Sequence, residues 1–199
     1  MSLTSLQVIR NYLGSLETIR SYVGQVAGVL ENLPVDKIAE TVALIESARD
    51  EGKKVIIFGN GGSAATASHF AADLSKGAIC EGKPRIRSFA LTESVPLMSA
   101  WANDMDYGSI FAQQLKNIVE EGDVVIGISG SGNSQNVVKA IETAKSKNAV
   151  TIAFTGFDGG KLIGLVDVVV LVHHNNMEQV EDAQLMIEHA VTTCLMRVS

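Results

Sequence analysis

Five short apolar runs constrain this chain more than any other feature: Lys54–Phe58, Ile86–Leu91, Val124–Ile128, Val150–Phe154 and Val168–Val172. Most are unbroken stretches of Val and Ile. A half-exposed strand alternates apolar and polar residues, whereas an unbroken run belongs to a strand covered on both faces. Stretches with helical periodicity separate the runs, at 63–76, 95–102, 108–119, 134–147 and 159–165, and a last one extends from Met177 to Met196. This alternation predicts an α/β fold with a largely parallel sheet.

Ahead of the first run, residues 3–32 space Leu6, Ile9, Leu13, Leu16, Ile19, Val23, Val26, Val29 and Leu30 as one face of a long helix. Pro34 breaks it, and Asp36 is placed to cap a second helix ending near Ser47. With no repeat, low-complexity tract or linker, the 199 residues read as one domain, a helical arm at 1–50 joined to an α/β core at 51–199. The arm carries enough apolar surface to need a partner, either its own sheet or another subunit.

A hydrophobic content of 46% with 19% charged residues suits a soluble protein with a good core. The net charge of −6, without a basic cluster, argues against a nucleic-acid surface. It leaves room for a local anion site built from backbone N–H groups. Cys80 and Cys194 offer neither a disulfide framework nor metal-type spacing and read as buried or half-buried thiols. The start MSLTSLQVIRNYLG lacks the basic-then-apolar pattern of a secretory leader, and no apolar run reaches the ~18 residues that span a bilayer. A cytoplasmic protein with no membrane partner is expected.

In a parallel sheet, ligands bind beyond the carboxyl ends of the strands. The first strand-to-helix loop is GNGGS, residues 59–63. Gly61 and Gly62 let the backbone approach a ligand, the helix start adds partial positive charge, and Asn60 and Ser63 add side-chain hydrogen bonds. The loop matches neither a dinucleotide-binding glycine motif nor a P-loop, so no nucleotide cofactor is expected. A plain tight turn is the simpler alternative. The second loop, SGSGNSQN at 129–136, gathers Ser129, Ser131 and Ser134 around Gly130 before a helix. Three hydroxyls plus helix-start amides suit the oxygens of a phosphate monoester. Ser134 alone could be an ordinary N-cap. A third loop, TGFDGGK at 155–161, reads as a structural turn.

GNGGSAATASHF and ISGSGNSQNVVKAI, with TGFDGGKL after the next strand, resemble the sugar isomerase (SIS) domain. WANDMDYGSIF and the terminal VEDAQLMIEH narrow the resemblance to the single-domain phosphoheptose isomerases and extend it over nearly the whole chain. The resemblance implies a three-layer αβα sandwich with a five-stranded parallel sheet, a homotetramer, and active sites at subunit interfaces. The implied substrates are sedoheptulose 7-phosphate and glycero-manno-heptose 7-phosphate, used in making nucleotide-activated heptose for surface polysaccharide or lipopolysaccharide. Phosphate falls to Ser129, Ser131 and Ser134, with Gly130 in the family's usual Thr position. Sugar contacts fall to Asn60, Ser63 and Asp104.

Moving a proton between neighbouring carbons through an enediol needs a base for the C–H proton and an acid for the carbonyl oxygen. By the resemblance these are Asp73 and His189. His69 and Asp73, at i and i+4, share a helix face. Glu181 and His189, eight apart, project from broadly the same side of the last helix. The chain departs from the family twice: Asp73 replaces a glutamate, shortening the reach by ~1 Å, a displacement that can cost about 100-fold in rate, and Glu181 replaces a glutamine. Glu181 could be the base if Asp73 falls short. Some family members hold zinc with the equivalents of His69, Asp73, Glu181 and His189, a good donor set; a metal-free acid–base site is the alternative. His173 and His174 read as a solvated loop that could reach the pocket mouth, Asp106 as structural and Trp101 as core or interface.

Two other functions stay open: an isomerase of a different sugar phosphate, and a non-catalytic tetrameric SIS protein that binds a sugar phosphate or a protein partner such as a replication initiator. The retained carboxylate and histidine favour an enzyme. Neighbouring genes for a heptose kinase would separate these readings.

Overall fold

The protein is described from a computed structural model covering residues 5–197. Residues 3 and 4 of the expected first helix lie outside the described residues. The elements are α1 (Ser5–Glu31), α2 (Val35–Asp50), β1 (Lys54–Gly59), α3 (Gly61–Ala72), β2 (Arg87–Ala90), α4 (Val95–Asp104), α5 (Ile110–Ile118), β3 (Val124–Ser129), α6 (Gln135–Lys145), β4 (Val150–Gly156), β5 (Val168–Val172) and α7 (Met177–Arg197). The five strands form one parallel sheet in the order β2-β1-β3-β4-β5.

The unbroken apolar runs follow from helices on both faces. Val55 and Ile57 of β1 join Phe70, Leu74, Ile45, Ile187 and Val191 on the side of α2, α3 and α7. Ile56 and Phe58 point the other way, into Ile110, Phe111, Leu115, Val137 and Ile141 of α5 and α6. Phe58 stacks on Phe111 at 5.2 Å and Phe70 on Phe154 at 6.0 Å, one pair on each side. Each such fully buried side chain contributes about 1.5–3 kcal/mol. The result is the three-layer αβα sandwich that the alternation and the resemblance predicted. Below the sheet's amino edge, buried Asp123 accepts the Lys54 and Glu120 N–H groups and pairs with the Lys54 ammonium at 3.0 Å.

The arm divides in two. α2 packs back, burying Ile45 and Ala48 beside α7. The last turns of α1 follow it, with Val29 and Leu30 against the same core. The earlier turns of α1 do not: Tyr12 is 62% exposed, Ile19 59% and Val23 61%. Three local readings are corrected. Residues 160–164 form a 3-10 turn rather than an α-helix, since Gly159 and Gly160 bring it in with positive φ. Asp36 lies in the first turn of α2, inside the helix, because the capping position falls on Pro34. Cys194 is exposed rather than buried, on the outer side of α7, while Cys80 is half-buried; no disulfide joins them. Among the described residues no helix is long and apolar enough to cross a membrane.

Candidate active site

The strand order reverses between β1 and β3, whose following connections leave for opposite faces of the sheet. That is the crevice where open parallel sheets bind ligands. GNGGS follows β1 and SGSGNS follows β3, so the two loops face each other there. Asn60 stands at the capping position of α3, yet its side chain caps nothing. It pairs with Asn136 in a reciprocal amide contact, 2.8 Å in each direction, and accepts from the Tyr107 hydroxyl at 3.0 Å. Ser134 stands at the capping position of α6 and also caps nothing; its hydroxyl accepts from Ser129 at 3.1 Å. Both helices therefore begin with N–H groups unclaimed by a capping side chain, which favours an anion.

The loops enclose a pocket of about 170 Å³, lined by Asn60, Ser63, Ser129, Gly130, Ser131, Ser134, Met177 and Glu181. The serine loop is braced from behind by TGFDGGK. Gly132, at φ +65°, presses so close that a Cβ there would stand 2.0 Å from the Gly159 carbonyl oxygen. The third loop is thus structural, as expected. Gly61 and Gly62 open α3 beside the pocket. Gly62 has no room for a side chain because the Glu181 carboxylate occupies the space, 2.3 Å from where a Cβ would be.

A second polar cluster lies farther along the seam between α3 and α7. Asp73 ends α3 and begins a π-turn, Asp73–Gly77, in which the Ala78 N–H donates to the Asp73 carbonyl at 2.8 Å. Asp73 Oδ2 stands 3.9 Å from His69 Nε2 and 3.8 Å from His189 Nε2. The two imidazoles meet edge to face, centroids 4.9 Å apart. Glu188 of α7 closes the cluster, 3.5 Å from His69 Nδ1 and 3.2 Å from His189 Nε2. Its side chain is fully buried, and neither carboxylate oxygen has a hydrogen-bond partner among the described residues. Burial, followed by the charge of Asp73, pushes its pKa up to about 8. Donor atoms of His69, Asp73, Glu188 and His189 all lie within 4.8 Å of one another. Two imidazoles and two carboxylates, one of them buried without a hydrogen-bond partner among the described residues, fit a divalent cation such as zinc.

Of the residues read from the sequence, the structure brings His69, Asp73 and His189 together. It gathers Asn60, Gly62, Ser63, Ser129, Gly130, Ser131 and Ser134 at the other end of the seam. Glu181 does not join the histidines. It sits two turns earlier on α7 than His189 and turns into the serine pocket. Burial raises its pKa, with the charges of Glu178 and Asp182 adding to the effect. Asp104 is exposed at the end of α4, outside the lining of the serine pocket, and accepts from Asn103. Asp106 is structural, holding Ser109 at 2.9 Å and Lys139 at 3.3 Å. Trp101 is half-buried against the α5–α6 side of the core. His173 and His174 border a separate cleft against α1, where the Phe157 carbonyl accepts from His173 Nδ1 at 2.9 Å. Glu188, Asn136, Tyr107 and Met177 were missed. For Glu188 a signal existed: Gln184, Glu188 and Thr192 put a polar stripe at i, i+4 and i+8 of a helix whose buried face, Gln179 apart, is otherwise aliphatic.

Comparison with known proteins shows the family. Residues 21–156 match the SIS domain family. The phosphoheptose isomerase of Thermodesulfovibrio yellowstonii is 42% identical over 155 residues, 78% of this chain and 77% of the relative. A probable phosphoheptose isomerase of Thermoplasma acidophilum is 41% identical over 160 residues, 80% of this chain and 87% of the relative. The solved phosphoheptose isomerase of Neisseria gonorrhoeae superposes with a TM-score of 0.86 at 29% identity, over 92% of this chain and 99% of that one. With its sheet order, its serine loop and its paired histidines, the chain belongs to the SIS domain family, within the phosphoheptose isomerases.

Proposed function

We propose that this chain interconverts sedoheptulose 7-phosphate and D-glycero-D-manno-heptose 7-phosphate through an enediol, in the cytoplasm, for nucleotide-activated heptose synthesis. The observation that carries the reading is the 3.8 Å approach of Asp73 Oδ2 to His189 Nε2, at the opposite end of the α3–α7 seam from the serine pocket. Along α3, Ser63 lies six residues before His69 and ten before Asp73, about 9 and 15 Å at the helical rise. A phosphate held by the serine loop directs the far end of a sugar chain toward Asp73 and His189.

Ser129, Ser131 and Ser134, with the first N–H groups of α3 and α6, hold the phosphate. Asn60, fixed by Asn136 and Tyr107, and Ser63 orient the hydroxyls. Asp73 removes the C–H proton. Both histidines approach its Oδ2, which leaves Oδ1 to face the substrate. In the metal-free site His189 returns a proton to the carbonyl oxygen. His69, Asp73 and His189 are the residues that would hold a zinc ion, and such an ion would supply Lewis acidity in place of the histidine's proton.

The exposed apolar side of α1 supports a homotetramer with the arm as its assembly element. Light scattering that gives a single-chain mass would remove that part of the reading. The test of function is proton NMR with sedoheptulose 7-phosphate in heavy water. Appearance of the aldose with deuterium at C2 is expected. Neither product nor exchange, with zinc or with chelator, overturns the assignment.

A further inference from the structure

We propose that Glu188, and not Glu181, is the fourth protein ligand of the cation at the His69–Asp73–His189 cluster. This rests on reading the cluster as a zinc-holding active site. Both candidates are carboxylates on α7, seven residues apart, and the structure separates them cleanly. Glu188 touches both imidazoles, at 3.5 and 3.2 Å. Glu181 lies in the serine pocket with its oxygens against Gly62.

The spacing argues for Glu188. Zinc bonds of about 2.0–2.2 Å to nitrogen and oxygen, arranged tetrahedrally, set neighbouring donors roughly 3.3–3.5 Å apart. From His189 Nε2 the carboxylates of Glu188 and Asp73 stand 3.2 and 3.8 Å away, while His69 meets Glu188 through Nδ1 at 3.5 Å and Asp73 through Nε2 at 3.9 Å. With one donor atom from each residue, the four lie within 4.8 Å of one another, and side-chain shifts that commit His69 to a single nitrogen would bring them to this spacing.

The burial argues for it as well. Glu188 is fully buried with both oxygens unpartnered, and the groups facing it are the two imidazoles and the carboxylate of Asp73. No lysine or arginine pairs with it among the described residues. An ionised carboxylate in such a place needs a cation. Buried Gln184 and Thr192, one turn to either side on α7, also carry unpartnered polar atoms. A metal bound at Glu188 removes the largest of these deficits.

The experiment is a zinc titration of the chelator-stripped, full-length protein in competition with a chromophoric chelator, on the parent, Glu188→Gln and Glu181→Gln. One zinc per chain is expected for the parent. Glu188→Gln is expected to weaken binding by at least about 100-fold, the upper end of what even indirect support of a metal contributes. Glu181→Gln is expected to stay within about threefold. Circular dichroism confirms folding, and the zinc-induced rise in melting temperature, present in the parent and Glu181→Gln but absent in Glu188→Gln, gives a second readout. The proposal is overturned by parent-like affinity in Glu188→Gln, by loss of binding in Glu181→Gln, or by a parent that binds no zinc. Turnover measured on the same samples keeps the two readings apart: a Glu188-dependent zinc site without isomerisation sinks the isomerase alone, and isomerisation without the site sinks this proposal alone.

Discussion

The two ends of the α3–α7 seam are built on opposite terms. At the serine-pocket end, Asn60 is locked by Asn136 and Tyr107, and Ser129 by Ser134. What is left over there is mainly a set of donors, the first N–H groups of two helices, with the Glu181 carboxylate beside them. At the histidine end the contacts are longer, 3.2–3.9 Å, and a buried carboxylate has no hydrogen-bond partner at all. Fixed donors around a small pocket suit a ligand that arrives with acceptors. Unbalanced acceptors suit a cation, or a proton that must move. On the proposed reading, one end holds the substrate and the other reacts with it.

The largest effect should come from the reacting end. Asp73→Asn keeps the shape and removes the base, and it should lower turnover about 10³-fold while the substrate KM changes little. Exchange of deuterium into C2 should fall in parallel, because both follow from the same proton transfer. A turnover within tenfold of the parent would pass the role to Glu181, which lines the serine pocket.

Next in size is a stability effect of the unbalanced carboxylate in chelated protein. Glu188 keeps its proton up to about pH 8 in the folded chain, against an ordinary value of 4.5. Above pH 4.5 the unfolded chain sheds a proton that the folded chain still holds, so stability falls as pH rises and levels off past pH 8. The shift caps the loss at roughly 5 kcal/mol, and relaxation around the charge should bring it to a few. Thermal melts between pH 5 and 8 should show the decline in the parent and a shallower one in Glu188→Gln. Identical slopes would mean that the carboxylate is balanced by something else.

The two ends were not equally legible. The serine loop is contiguous in sequence, so the gathering of its polar groups at one pocket could be read from SGSGNS alone. The histidine end is assembled from α3 and α7, elements more than a hundred residues apart, and only the resemblance joined them. It placed Glu181 with the histidines because both positions lie on broadly one side of α7. Eight residues is slightly more than two turns, and the seam is long enough for one side of a helix to serve two different sites. The centre of the sheet was plain from its apolar runs, since β1, β3 and β4 are buried on both faces, whereas the edge strand β2, RSFA, is exposed or half-buried throughout. The split of the arm was not. Ile19 and Ile45 look alike in a periodic pattern, and only packing shows that one faces out and the other lies in the core.

Smaller changes should appear at the holding end. Ser131→Ala removes one hydroxyl donor to a charged ligand, a loss of about 1.5–3 kcal/mol, so KM should rise roughly tenfold to a hundredfold with kcat nearly unchanged. Asn136→Ala leaves Asn60 held by Tyr107 alone and should give a weaker version of the same result. A kcat effect larger than the KM effect in either variant would erase the distinction between the ends.

Gly62→Ala should have the smallest effect and discriminate most finely. The added methyl would meet the Glu181 carboxylate at 2.3 Å, and that carboxylate is the far end of a flexible side chain, so Glu181 should move while α3 stays in place. Because φ at Gly62 is unremarkable, unlike the +53° of Gly61, the substitution brings no backbone strain. Helix propensity favours alanine over glycine, and stability should hold or rise slightly. The displaced carboxylate belongs to the serine pocket, so kcat/KM should drop by up to about tenfold, within the cost of a 1 Å misplacement. Zinc affinity should not change, because His69, Asp73, Glu188 and His189 are untouched. A variant that lost zinc along with activity would show that the two ends of the seam are one coupled site.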